Sequence, residues 1–235
     1  MVSSDSGELP GLAVNLSGKR VGDRSLRVGL MADSHGDAGR ICSAIELFRR
    51  RRCGRMYHLG DICDSLRPET ADACIRPLQS ANVIAIRGNN DHSLLANQKG
   101  RPTAGISDNS LAFLEGLPLK RSFGGAELVH SLPFTGELGL SSMVGSLAAA
   151  DANRFFASSG PRILFRAHGH SPELMWRRKG RPGSRTLLAG ETVDLGSYRP
   201  CIVTCGALID GFCLLWKPAR DRVTCLELQL TPDMS

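Results

Sequence analysis

The chain has 235 residues, 42% of them hydrophobic, enough to bury the core of one large domain or two small ones. Its formal charge is +6 and its pI near 9.1, which excludes an acidic, solvating chain and favours anionic ligands. No apolar run approaches the ~20 residues that a membrane helix needs, so no membrane partner is expected. Two Trp, two Tyr and eight Phe beside many small and branched aliphatics suit an α/β protein with a buried sheet.

The first 25 residues are rich in Ser, Gly and Asp and show no period. They read as a flexible extension, with one domain over 26–235. Leu26 to Ala32 is an apolar run fit for a buried strand, ending at Asp33-Ser34-His35-Gly36. From Asp37, a candidate cap, the spacing of Ile41, Ala44, Ile45, Leu47 and Phe48 predicts a helix. The alternation recurs: a strand over Met56 to Leu59 ends at Gly60-Asp61 and precedes a helix near 71–78. Another, over Val83 to Ile86, ends at Gly88-Asn89-Asn90-Asp91. Three such units imply a largely parallel sheet, with functional loops at the carboxyl ends of the strands.

Residues 107–116 predict a further helix, and Leu119 to Phe123 with Glu127 to Val129 a strand pair leading to His130-Ser131. Leu140 to Phe156 reads as mainly helical despite Gly145. Arg162 to Ala167 reads as a strand ending at His168-Gly169-His170. Beyond Pro172 the expected strands are Glu173 to Arg178, Arg185 to Leu188, Cys201 to Ile209, Phe212 to Trp216 and Val223 to Leu230, a mostly antiparallel sheet. Gly180 to Ser184 is the expected exposed loop.

Eight cysteines occur, with no Cys-x-x-Cys pair and no recognisable secretory leader before them. Reduced, mostly buried thiols in a soluble cytoplasmic protein are expected. Cys201 and Cys205, four apart in a strand, should share a core-facing side. The basic runs Arg49 to Arg52 and Arg177, Arg178, Lys179, Arg181 read as solvated faces, the first ending a helix where positive charge suits the dipole. Charge alone does not argue for nucleic acid, which stays open as a partner.

Asp33, His35, Asp61, Asn89, His130, His168 and His170 thus stand in order at the ends of apolar runs. Any one of these histidines alone reads as ordinary; together with Asp and Asn they read as a two-metal site. Asp33-Ser34-His35, Gly60-Asp61, Gly88-Asn89-Asn90-Asp91, Val129-His130-Ser131 and His168-Gly169-His170-Ser171 resemble the motifs of the calcineurin-like metallophosphoesterases. Asp194-Leu195-Gly196-Ser197 looks like a further family turn. The resemblance spans roughly residues 27 to 216.

It implies a two-sheet β-sandwich core flanked by helices, the four-layer α/β/β/α metallophosphatase fold. It also implies that Asp33, His35 and His170 hold one divalent ion, Asn89, His130 and His168 a second, and Asp61 both. Imidazole with carboxylate or amide oxygen suits Mn foremost, or Fe, Zn, Ni or Co. Two divalent ions against Asp33, Asp61 and a bridging hydroxide leave the site net positive. Attraction of a phosphate-ester anion and in-line attack by that hydroxide are then expected.

Asn90 stands where protein phosphatases carry a histidine that serves as general acid, and an amide supplies no proton. Gly-Asn-Asn-Asp resembles a compact branch of the family described as phosphodiesterases, so diesters are the expected substrates. The alternatives are a phosphomonoesterase of nucleotides or phosphoproteins, and a non-catalytic scaffold of the same fold. His92 is a candidate substitute acid, and Asn90 and Arg87 are candidate substrate contacts, as is Arg166. Asp91 reads as a cap or loop anchor, and His58 as core or as support behind the ligands.

Overall fold

The structure, a computed structural model, describes residues 25–98, 105–158, 160 and 163–228. The expected flexible extension, except Ser25, lies outside the described residues, as do Arg162 and the last two residues of the expected strand ending at Leu230. The strands are β1 (Val28–Met31), β2 (Arg55–His58), β3 (Ile84–Ala85), β4 (Lys120–Phe123), β5 (Ala126–Val129), β6 (Ile163–Arg166), β7 (Glu173–Arg178), β8 (Arg181–Thr186), β9 (Thr192–Asp194), β10 (Cys201–Thr204), β11 (Phe212–Lys217) and β12 (Arg222–Glu227). The helices are α1 (Ala38–Arg50), α2 (Ala71–Ser80), α3 (Asn89–Gln98), α4 (Asp108–Glu115), the single turn α5 (Thr135–Leu138) and α6 (Ala149–Ala157).

Among the described residues the strands form two sheets of six, ordered β3-β2-β1-β11-β12-β9 and β4-β5-β6-β10-β7-β8. β1, β2 and β3 run parallel, as the three strand-loop-helix units require. The rest corrects the expectation of one largely parallel and one antiparallel sheet. β11, β12 and β9 extend the first sheet antiparallel, and the second sheet has a parallel centre of β5, β6 and β10.

Strand alternation sorts the apolar side chains into three layers. Val28, Leu30 and Ala32 face the inter-sheet core with Phe165, Leu214 and Trp216, whereas Met31 faces the layer under α1 and α2. Leu164 and Ile202 face outward beneath Phe155 and Phe156 of α6. This is the expected four-layer sandwich of α/β class. Cys201 and Cys205 both lie in the central core, as their spacing predicts. Gly29 is required by packing: a Cβ there would sit 2.5 Å from the Phe48 ring, so α1 seats directly on β1.

Several local readings are corrected. Helix α1 begins as expected, with Asp37 accepting from the Arg40 N–H at 2.9 Å. The segment from Leu140 is a 3-10 turn to Met143, a break at Gly145 with φ +115°, and α6 only from Ala149. Of the expected Gly180–Ser184 loop, Arg181–Ser184 belong to β8, paired residue for residue with β7, and Gly180 lies in the connecting turn. Pro182, Gly183 and Ser184 read as turn residues and hid the strand, and an exposed edge tolerates them because it needs no apolar face. The strand from Cys201 stops at Thr204, where Gly206 turns the chain at φ +80°.

Candidate metal centre

The five motif loops meet at one end of the sandwich. Backbone bonds zip the first onto the second: the amides of Asp33, Ser34, His35 and Gly36 donate to the carbonyls of Gly60, Asp61, Asp61 and Ile62. The third loop is drawn in by Asp91. Its fully buried carboxylate accepts four backbone N–H groups, from Asp61 and Gly88 on one oxygen and Ile62 and Cys63 on the other, at 2.9–3.0 Å. Asp91 therefore anchors the loop and closes the first turn of α3, which begins at Asn89 rather than after a free loop. Burial and then the Asp61 charge push its carboxyl up to about 7, while the donated N–H groups pull it down.

Glycines permit this crowding. A Cβ on Gly88 would lie 2.2 Å from the Asp61 amide nitrogen and carboxylate, and one on Gly60 would lie 2.6 Å from the Gly88 nitrogen. Gly88→Ala is expected to cost about 1–3 kcal/mol from overpacking. It should lower the melting temperature and the bound metal together; unchanged melting would contradict the packing argument.

Asp33, His35 and His170 form one group of donor atoms, and Asp61, His130 and His168 another, each within 4.8 Å. Asn89 Oδ1 joins the second, 3.0 Å from His130 Nε2 and 3.0 Å from His168 Nδ1. Asp61 lies between them: Oδ1 is 3.5 Å from His130 Nε2 and Oδ2 is 3.8 Å from His35 Nε2. His168 and His170 go to different groups, as the resemblance implies, and both do so through left-handed backbone. Asp33, His35, Asp61, His168 and His170 all have φ between 43° and 65°. Such conformations cost non-glycine residues of order 1–3 kcal/mol and mark functional constraint.

The donor set fits divalent cations. Among the described residues the buried Asp33 Oδ1 has no hydrogen-bond partner, while Oδ2 accepts from the His168 amide. His130 Nδ1 lies 2.8 Å from the Leu59 carbonyl; its proton belongs there, leaving an Nε2 lone pair facing the Asn89 carbonyl oxygen. Two lone pairs at that distance repel unless a cation lies beyond them. Burial pushes Asp33 well above the usual carboxylate range, with the Asp61 charge adding to it. Burial also lowers His35 and His168, and takes His130 down to about 4, so these imidazoles present free lone pairs at neutral pH.

Neighbouring groups brace the ligands. Asn90 donates to Asp61 twice, from its backbone N–H to Oδ1 and its amide to Oδ2, each at 2.8 Å, and accepts from Ser65. His58 is fully buried, lowered by burial to about 3, and pairs with Ser34 behind the first two loops, matching its expected supporting place. Asp210 Oδ2, absent from the sequence reading, lies 3.4 Å from His170 Nδ1. The only signal for it was a turn-forming Asp-Gly pair after β10.

Arg87 and His92 lie away from the donor groups, whereas Arg166 packs behind the His168-Gly169-His170 loop. Arg87 extends to the end of α4 and donates to the carbonyls of Leu114 and Glu115. His92 shares with Arg87, Leu95, Leu111 and Glu115 a cleft between α3 and α4 that none of the seven candidate ligands lines. Arg166 is buried and spent on Ser131 and Thr204, its charge opposing that of Asp33. Asp194 caps a 3-10 turn over Leu195–Tyr198, accepting from the Gly196 N–H at the far end of β9.

Paired His/Asp groups at the strand ends of a helix-flanked double sheet define a hydrolase of the metallophosphatase class. The sequence pattern described as the calcineurin-like phosphoesterase superfamily domain matches residues 26–200. The chain belongs to that superfamily, whose members use a pair of divalent metal ions. It is similar in structure to a metallophosphoesterase from Sphaerobacter thermophilus, with TM-score 0.69 and 21% identity over 88% of this chain and 89% of that one. A hypothetical protein from Pyrococcus horikoshii gives 0.59 and 16%, over 89% and 90%. A protein serine/threonine phosphatase from Saccharomyces cerevisiae gives 0.51 and 15%, over 90% and 82%. At such identities the likeness is one of fold. No curated protein sequence matches this chain.

Proposed function

We propose that the chain is a binuclear metal-dependent phosphoesterase that prefers phosphodiesters. The observation that carries this reading is Asp61 standing between two donor groups, one oxygen facing each. Asp33, His35 and His170 hold one ion, and Asn89, His130 and His168 the other. A metal pair held there would supply Lewis acidity towards phosphoryl oxygens and would acidify water. The residues of the chain position and brace: Asp91 fixes the Asp61 loop, Asn90 orients the Asp61 carboxylate, and Asp210 aligns His170.

Diester preference is supported by Asn90. At the position where the family's phosphatases carry a histidine, its amide is bonded to Asp61 and offers no acidic proton. Loss of general acid help costs typically 10²- to 10⁴-fold, most with poor leaving groups. Manganese is the proposed ion, since mixed imidazole and oxygen donors accept it readily. A cytoplasmic setting is supported by eight free thiols, six of them buried. Among the described residues no helix is long and apolar enough to cross a membrane.

The test compares bis-p-nitrophenyl phosphate with p-nitrophenyl phosphate under Mn²⁺. Faster turnover of the diester is expected; a clear excess on the monoester reverses the preference and favours a phosphomonoesterase. Fewer than one bound ion per chain at metal saturation favours a scaffold.

A further inference from the structure

We infer that the pole of the sandwich opposite the metal centre binds the phosphate backbone of a nucleic acid. Strand direction defines that pole. β1 and β6 carry Asp33 and His168 just beyond their C-terminal ends. Their N-terminal ends, the β11–β12 turn and the tip of the β7–β8 hairpin therefore lie at the other end of both sheets. At ~3.3 Å per residue, strands of this length separate the poles by roughly 15–20 Å.

The first sheet brings Arg27, Arg51, Arg52, Lys217, Arg220 and Arg222 to this end. Arg27 donates to the Arg51 carbonyl, and Arg27, Lys217 and Arg220 line one open pocket of about 310 Å³ with Ser25 and Leu26. The second sheet contributes the hairpin tip, where Arg177, Arg178, Lys179 and Arg181 are all exposed and Arg178 stands directly opposite Arg181. Like charges opposed across a ladder destabilise it, so the tip gains from an anionic occupant.

None of these ten side chains forms an ion pair among the described residues. Of the nearby acids, Asp221 is paired with Arg199, and Asp194, opposite Arg222 in the β12–β9 register, accepts from the Gly196 amide. Trp176, two residues before the tip residue Arg178 on β7, meets the Tyr198 ring at 5.1 Å, next in the chain to Arg199.

Two observations favour nucleic acid over a lipid surface. Eight of the ten cations are arginine, whose planar fork engages two phosphate oxygens at once. Among the described residues the exposed large hydrophobics, Leu66, Leu138, Leu140, Val144 and Leu188, lie in segments that follow the strand ends nearest the metal centre, and none of them offers this pole an apolar anchor. The inference does not depend on the phosphoesterase reading.

The test is fluorescence anisotropy with labelled single-stranded RNA and DNA of about 20 nucleotides, added to the full chain, with gels to show the oligonucleotide stays intact. Binding should weaken with salt at a log–log slope of about −4, as six phosphate contacts imply. The triple variant Arg177→Gln, Arg178→Gln, Arg181→Gln and the double variant Lys217→Gln, Arg220→Gln should each lose about tenfold or more in affinity, with melting unchanged. Asp61→Ala should bind as the unaltered chain does. The inference is overturned if neither oligonucleotide binds at about 50 mM salt, or if both variants bind normally. Loss of binding in Asp61→Ala would put the strand in the metal centre instead, and preferential uptake by phosphatidylserine vesicles would make the partner a membrane.

Discussion

Asp61→Ala is expected to lower hydrolysis of bis-p-nitrophenyl phosphate under Mn²⁺ by at least about 10³-fold, roughly 4 kcal/mol of lost transition-state stabilisation. Asp61 is the one candidate ligand that faces both donor groups, so its removal loosens both ions at once. Metal analysis of the variant should show less than the two ions per chain expected of the unaltered protein. Equal rates for the two proteins would remove the catalytic reading. Residual activity with full metal content would move the bridging role to another residue.

Asp91→Asn is expected to destabilise the protein by about 4 kcal/mol at pH 8, where the native carboxyl is ionised. Each carboxylate oxygen accepts two backbone N–H groups. An asparagine in either orientation sets its NH2 against two of them, leaving donors facing donors in a fully buried place. Each stranded donor costs about 1–3 kcal/mol. For a domain of this size the melting temperature should fall by roughly 10 °C, read by circular dichroism. Because the affected amides carry the Asp61 loop, metal affinity should also drop about 10- to 100-fold. A melting change under 2–3 °C would mean that the loops hold without the carboxylate.

The legible parts of the chain are those where one apolar run decides the structure. Leu26 to Ala32, Met56 to Leu59 and Val83 to Ile86 announced buried strands, and the polar residues ending them marked the loops that meet at the site. The placing of His168 and His170 in separate donor groups is what the family resemblance implied. Strand partners were not legible: β11, β12 and β9 join the first sheet by long-range pairing that no local pattern encodes. β8 escaped because Pro182, Gly183 and Ser184 carry a turn signal that an exposed edge strand tolerates. Arg87 pointed to phosphate by position in the chain, yet its length lets it reach the end of α4 instead. The bonds of Asn90 to Asp61 depend on how closely two loops approach, which only the paired glycines Gly60 and Gly88 hinted at.

The left-handed backbone at Asp33, His35, Asp61, His168 and His170 has a consequence for drift and design. At each of these positions glycine would relieve conformational strain, so selection for thermal stability alone would tend to erase the donor set one residue at a time. A library screened only for melting temperature should accumulate such losses, whereas one screened for metal retention should keep the strained residues and improve stability elsewhere.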